Sequence, residues 1–217
     1  MSSTNALTPL LQTTIGIDVG GVKKGFHAVA HRGGQYFGQL HSTSPDEIAS
    51  WALALSPSVV AIDAPCMFSA LGRSRKAERD LVESGMRCFY TPTRELAKSS
   101  RFYDWVFNGE RLYQKLGLPI FMGDKTKLPC VIETFPHAIQ LALWANNTQA
   151  IPNSKLLARK TTLKLKANYE ISPLSNIDFI DAALCAVSAD YFARHQFNAY
   201  GCSTEGFIVL PNIHNKA

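Results

Sequence analysis

Five acidic residues of this chain lie where predicted strands or helices begin or end, and together they could hold divalent cations. Asp18, Asp63 and Glu133 each end or interrupt an apolar run of β type. Asp178 and Asp181 are three positions apart, which puts them on one face of a predicted helix. Carboxylates at the ends of apolar strands are costly unless water or a cation compensates their charge. A shared cation is therefore the chemistry that we consider first.

The reaction expected of such a cluster is phosphodiester hydrolysis with two metal ions, one activating water and the other stabilising the leaving oxygen. Mg²⁺ or Mn²⁺ suits an all-carboxylate ligand set. Glu133 has three open roles: metal ligand, hydrogen-bond acceptor behind the ligands, or base for the attacking water. The predicted metal ligands are Asp18, Asp63, Asp178 and Asp181. The predicted catalytic residues are Asp18, Asp63, Glu133 and Asp181.

Each of these acids also has a structural explanation. Asp18 precedes Gly-Gly and Asp63 precedes Ala-Pro, so either side chain could hydrogen-bond its own turn. Asp178 falls in a first helical turn, where the helix dipole favours an acid whatever its function. Asp181 is harder to explain in this way, because its neighbours in the sequence are apolar.

The elements that must position these acids follow from hydrophobic periodicity and turn residues. Three strands open the chain, with glycine-containing turns typical of hairpins. Helices and strands then alternate, and a long helix capped by Asn176 carries the last two acids. The predicted strands are 13–19, 25–30, 35–40, 58–62 and 128–133, with a further candidate at 206–210. The predicted helices are 44–55, 74–84, 93–98, 109–116, 135–144, 154–168 and 176–194.

This order predicts an α/β fold with a mixed five-stranded sheet, three strands antiparallel and then two parallel, flanked by helices. It is the element order of a ribonuclease H-like domain. We expect an N-terminal extension over 1–12, a single domain over 13–195 and a C-terminal segment over 196–217. A helical insertion rich in aromatic and basic residues would occupy about 86–127.

The composition is that of a globular protein, with 217 residues, 46% hydrophobic and 18% charged. No apolar run reaches the ~20 residues of a membrane span, and the first residues do not resemble a signal peptide. Five scattered cysteines without a closely spaced pair favour a reduced, cytoplasmic protein over a disulfide scaffold or a zinc site. We therefore expect a cytoplasmic location and no membrane partner.

The positive charge is concentrated in two stretches, which favours an anionic substrate. The net charge is +5, and residues 71–130 hold 12 Lys and Arg against 7 Asp and Glu. Four of these cations could bind phosphate, although a solvated helix face would explain the arginines equally well. Aromatic residues between 89 and 113 could stack on bases or could anchor the insertion to the core. The predicted substrate-binding residues are Arg75, Arg79, Arg87 and Lys125.

Five segments, taken in order, resemble the predicted RNase H-fold nuclease family called domain of unknown function 429. They are 16–25, 61–65, 75–92, 132–136 and 178–184, within a resemblance that covers roughly 14–195. The spacing of the last two acids is also similar to that of Holliday-junction resolvases of the RuvC type. That resemblance implies metal ligands at Asp18, Asp63, Asp178 and Asp181. The resolvases have Glu on the fourth strand, so Asp63 would reach less far.

The resemblance implies a nuclease acting on nucleic acid or on a small phosphodiester, and the resolvases' dimeric state makes a homodimer an alternative to a monomer. Two other functions stay open. Gly16-Ile17-Asp18-Val19-Gly20-Gly21 also resembles the phosphate loop of actin-like nucleotide-binding proteins, although the chain is short for their two domains. A non-catalytic nucleic-acid-binding module on the same fold is the third hypothesis.

Overall fold

The computed structural model describes residues 12–123, 127–145 and 149–213. Seven strands in this part of the chain form one mixed sheet: β1 Thr13–Val19, β2 Phe26–Arg32, β3 Gln35–Ser42, β4 Val59–Asp63, β5 Cys130–Glu133, β6 Phe197–Cys202 and β7 Gly206–Pro211. Their order across the sheet is β3-β2-β1-β4-β5-β7-β6. The first three strands pair antiparallel, whereas β1, β4, β5 and β7 run parallel to one another.

Seven α-helices accompany these strands within the described residues: α1 Pro45–Ala54, α2 Lys76–Glu83, α3 Arg94–Lys98, α4 Asp104–Leu116, α5 Pro136–Trp144, α6 Lys155–Lys166 and α7 Ile177–Ala193. The Ser44 side chain accepts a hydrogen bond from the Glu47 amide and so caps α1. Asn176 caps α7 in the same way through the Phe179 amide, as the sequence predicts. None of the helices in the described ranges combines the length and hydropathy of a transmembrane span.

The prediction of a five-stranded sheet is wrong in strand number. The C-terminal segment supplies β6 and β7, and β7 adds to the sheet beside β5. The sequence gives little sign of β6 because this strand lies at the sheet edge, where none of its residues is fully buried. An edge strand of this kind needs no alternation of apolar and polar residues.

The helix predicted at 109–116 is also longer than expected, since α4 begins at Asp104. Gly109 suggested a break, yet it lies inside the helix. A side chain at this position would collide with Ala64, so the glycine lets α4 pack closely against the end of β4. Packing against the sheet outweighs the low helix propensity of glycine here.

The two faces of the sheet are covered by different helices. Ile17 packs on one face in a cluster with Leu112 of α4. Ala61 and Ile132 pack on the other face in a cluster with Cys185 of α7. Because side chains alternate along a strand, the position of a residue within its strand decides which helix it meets.

Helix α7 lies directly against β1 because residue 16 is a glycine. A Cβ atom at Gly16 would overlap the carbonyl oxygen of Ala182 and the backbone nitrogen of Ala186. We predict that Gly16→Ala lowers the free energy of unfolding by about 3 kcal/mol or more, the upper end of overpacking costs.

Gly38→Ala is the matched control, since Gly38 lies in β3 and the nearest atom to its added Cβ is in the Trp51 ring at 4.0 Å. This variant should raise the free energy of unfolding by about 0.4–1 kcal/mol, because alanine lowers the conformational entropy of the unfolded chain and meets no clash in β3. Urea unfolding measures both. Equal stability of the two variants would contradict the close packing of α7 on β1.

Candidate functional site

Asp18 and Asp63 lie side by side near the carboxyl ends of β1 and β4. The two strands are parallel, and their register pairs Asp18 with Asp63. Asp18 is two residues from Gly16 and Asp63 is two residues from Ala61, and both of these smaller residues face α7. Alternation therefore directs both carboxyl groups to the α7 face of the sheet.

The first turns of α7 bring two further carboxylates to the same place. The Lys24 ammonium links strand and helix, with Nζ 2.9 Å from Asp18 Oδ2 and 2.8 Å from Asp178 Oδ1. The four predicted metal ligands all line one cleft of about 960 Å³. The structure thus brings together the acids that the sequence places on β1, β4 and α7, which are Asp18, Asp63, Asp178 and Asp181.

Helix α6 supplies counter-charges to the deepest of the helix acids. Asp181 accepts a hydrogen bond at 2.8 Å from Arg159 Nε and forms an ion pair with Lys155 Nζ at 2.9 Å. Arg159 is almost fully buried and also donates to the side-chain oxygen of Gln140. The basic helix predicted from the sequence therefore lines one side of the cleft, with Lys155 and Arg159 turned toward Asp181.

The carboxyl groups on the strands are poorly stabilised in their charged form. The pKa of Asp18 is raised to about 6, mainly because the group is buried. Lys24 lowers this pKa, and the charges of Asp181 and Asp178 raise it. Burial also raises the pKa of Asp63 well above its ordinary value, and the neighbouring charges of Asp18 and Asp181 add to this rise. An additional cation would offset both burial and repulsion, so the donor set fits an oxygen-seeking divalent ion.

Glu133 also lines the cleft, together with Arg75, but its side chain turns to the face of the sheet opposite the four acids. Its register partner on β4 is Ile62, whose side chain packs on the α4 side of the sheet, and alternation turns Glu133 the same way. There its carboxylate accepts hydrogen bonds from Arg75 at 2.5 and 2.8 Å and from the Cys66 amide at 2.8 Å. Arg75 is 1% exposed and also pairs with Glu78 at 2.9 Å. Both predicted site residues are thus engaged in a buried ion-pair network.

The other predicted phosphate-binding residues are placed differently from one another. Arg87 is exposed and lines the cleft. Arg79 lies outside the described lining of the cleft, and its guanidinium donates to the carbonyl oxygen of Ser74 at 2.6 Å. Lys125 lies outside the described residues.

Two residues at the cluster were not predicted. Lys24 lies in the first family-like segment without a predicted role, and His27 on β2 belongs to none of the segments. The β1–β2 hairpin pairs His27 directly with Asp18. The antiparallel register of a short hairpin is the signal that could have identified His27, because it fixes which side chains meet across the strands.

The mouth of the cleft is aromatic. Phe89 is 66% exposed and Phe102 is 52% exposed, and their rings meet edge to face at 5.5 Å. Trp105, Phe135 and the exposed Arg87 also line the cleft. Large exposed aromatic rings beside a cation form a surface on which planar, anionic ligands can stack.

The sequence profile of the family described as "Protein of unknown function (DUF429)" matches residues 16–202. The chain therefore belongs to this family. The match begins within β1 and ends with β6, so it includes all four clustered carboxylates. A comparison with curated proteins gives no match. A comparison with solved structures gives none either.

The raised pKa of Asp18 predicts that this residue lowers the stability of the metal-free protein at neutral pH. The folded protein holds the Asp18 proton more tightly than the unfolded chain, with a pKa of about 6 against the ordinary 3.8. The stabilisation that the folded protein gains from binding the Asp18 proton is therefore complete below pH 3.8, and it is lost as the pH rises through about 6. We expect Asp18→Asn to raise the free energy of unfolding at pH 7 by about 1–3 kcal/mol.

Urea unfolding in a chelating buffer between pH 4 and pH 8 measures this effect as the difference between wild type and variant. Asp46→Asn is the control, because Asp46 is 64% exposed and pairs only with Lys115 among the described residues. Asp46→Asn should leave the pH dependence of the free energy of unfolding unchanged. A less stable Asp18→Asn protein at pH 7 would show that Lys24 outweighs burial at this site.

Proposed function

We propose that this protein is a nuclease of the ribonuclease H-like fold, a hydrolase of phosphodiester bonds that depends on divalent metal ions. The observation that carries the proposal is the convergence of four carboxylates from β1, β4 and α7 in one cleft. The strand order β3-β2-β1-β4-β5, antiparallel and then parallel, supports the fold assignment. The likeness of the acid spacing to that of the resolvases supports the reaction.

The residues fit the proposed ions. All four acids offer oxygen ligands, and the charged forms of Asp18 and Asp63 lack full compensation from the protein. The Lys24 ammonium between Asp18 and Asp178 marks a point where a cation is already favoured. Asp18, Asp63, Asp178 and Asp181 would hold Mg²⁺ or Mn²⁺. Ions bound there would supply an activated water and charge stabilisation at the leaving oxygen.

The chain's own cations would place the substrate. Lys155 is 63% exposed at its side chain while its ammonium reaches Asp181, so it borders both the cluster and solvent. Arg87 stands at the mouth of the same cleft. Both cations would attract a phosphodiester backbone into the cleft. The exposed rings of Phe89 and Phe102 would receive unstacked bases.

One observation favours a second candidate. Asp18, Asp178 and Asp181 each have a cationic partner within the protein, so the cluster is partly neutralised without metal. In a non-catalytic nucleic-acid-binding module the same cleft would bind strands, and its affinity would fall with salt without any turnover. Cleavage assays distinguish the two candidates directly.

For the nuclease, we predict that Asp63→Asn and Asp181→Asn each lower the cleavage rate at least 10²-fold, about 3 kcal/mol in the barrier. The assay uses fluorescently labelled single-stranded DNA and RNA with Mn²⁺ or Mg²⁺. Asp46→Asn makes the same chemical change at an exposed site on α1 and should retain wild-type cleavage. Circular dichroism confirms that each variant is folded. Full cleavage by either cluster variant would refute the proposal, whereas binding without cleavage by the wild type would support the second candidate.

For the aromatic mouth, we predict that Phe89→Ala and Phe102→Ala each weaken binding of a short oligothymidylate by about 5- to 150-fold. This is the range expected for the loss of one stacked base, about 1–3 kcal/mol. Fluorescence anisotropy in a chelating buffer measures the dissociation constant without cleavage. Phe37→Ala is the matched control, since Phe37 is also exposed, at 43%, but lies on β3 outside the described lining of the cleft. Equal affinities for all three variants would remove the aromatic mouth from the binding site.

A further inference from the structure

His27 is a buried histidine whose ring lacks a complete set of partners. The residue is 6% exposed, and its Nδ1 atom has no hydrogen bond within the described part of the chain. Burying a polar nitrogen without a partner costs free energy, so such an atom calls for a physical explanation. The unsatisfied nitrogen lies on the residue that pairs with Asp18 across the β1–β2 hairpin.

The position of the ring connects His27 to the carboxylate cluster. One ring nitrogen lies within 4.8 Å of a carboxylate oxygen of Asp18 and of one of Asp178, and those oxygens are equally close to each other. The ring is held on two sides, edge to face with Phe179 at 4.8 Å and tilted against His41 at 4.4 Å. Packing therefore fixes the imidazole next to two acids on separate elements.

Lys24 indicates where positive charge is favoured among these three side chains. Its ammonium contacts the carboxylates of both Asp18 and Asp178. The Lys24 side chain is 42% exposed and lines the cleft, so the ammonium can withdraw toward solvent when another cation enters. A divalent ion carries twice the charge of the ammonium and can form a coordinate bond with an imidazole nitrogen.

We propose that Asp18, His27 and Asp178 form one cation site with mixed nitrogen and oxygen ligands, and that His27 makes this site prefer Mn²⁺ to Mg²⁺. The proposal rests on the carboxylate cluster of the proposed function and adds a ligand that an all-carboxylate site lacks. Imidazole suits first-row transition ions, whereas Mg²⁺ strongly prefers oxygen.

Metal titration without substrate tests this assignment. Free Mn²⁺ is followed by its electron paramagnetic resonance signal at pH 7.5, and Mg²⁺ affinity is obtained by competition. We expect the wild type to bind Mn²⁺ at least tenfold more tightly than Mg²⁺. His27→Phe keeps the ring and its packing but offers no nitrogen, and it should lose at least tenfold in Mn²⁺ affinity while Mg²⁺ affinity changes less than threefold. An unchanged Mn²⁺ affinity in folded His27→Phe would overturn the proposal.

His41→Phe is the matched control. His41 stacks on His27, but its Nε2 lies 3.0 Å from the carbonyl oxygen of Lys24, and His41 is not among the three clustered ligands. This variant should keep the wild-type ratio of Mn²⁺ to Mg²⁺ affinity. A loss of preference equal to that of His27→Phe would show that packing, and not coordination, sets the selectivity, and would overturn the proposal.

A second measurement needs no variant. Pulsed electron paramagnetic resonance of Mn²⁺ bound to the wild type should show nitrogen hyperfine coupling, which changes when the histidines are labelled with ¹⁵N. Tight Mn²⁺ binding without nitrogen coupling would overturn the role of His27 and leave the carboxylate site of the proposed function intact. No Mn²⁺ binding at all would overturn both.

Discussion

The carboxylate cluster depends on the direct contact between α7 and β1. Gly16 leaves no side chain between them, and the helix backbone occupies the space that a Cβ atom at this position would need. The N-terminal turns of α7 then come to lie over the ends of β1 and β4, which carry Asp18 and Asp63. A bulkier residue at position 16 would move the helix acids away from the strand acids, so a packing constraint in the core determines the geometry of the site.

Charge imbalance is the second property of this arrangement. The raised pKa values of Asp18 and Asp63 show that burial and repulsion cost more than the nearby cations return. Lys24 in the β1–β2 turn and the two α6 residues Lys155 and Arg159 reduce that cost. Several buried or partly buried carboxylates close together lower the free energy of unfolding. Such a cost is typical of functional sites, and here it fits a site that binds a cation.

The sequence was sufficient to predict the four clustered acids, because a strand end and a helical spacing of three both constrain direction strongly. For Glu133 the sequence pattern does not determine the direction of the side chain. It ends a strand as Asp63 does, but only the register with β4 reveals that it points to the opposite face.

Arg75 was equally hard to predict, since a charged residue at the start of a short helix usually faces solvent. Here it is buried against Glu133 and Glu78. His27 required the hairpin register, and β6 required knowledge that β7 offered it an edge for pairing. The local sequence pattern thus predicts most helices and strands and the four clustered acids. The partners of individual side chains depend on how strands and helices pair in the folded protein.

Anomalous diffraction from crystals soaked in Mn²⁺ tests the central claim most directly, because it locates the ion without relying on activity. The account predicts anomalous peaks within bonding distance of the carboxylates of Asp18, Asp63, Asp178 and Asp181, with the Lys24 ammonium moved out from between its two acids. A cleft without anomalous density at saturating Mn²⁺, with Lys24 still paired to Asp18 and Asp178, would contradict it.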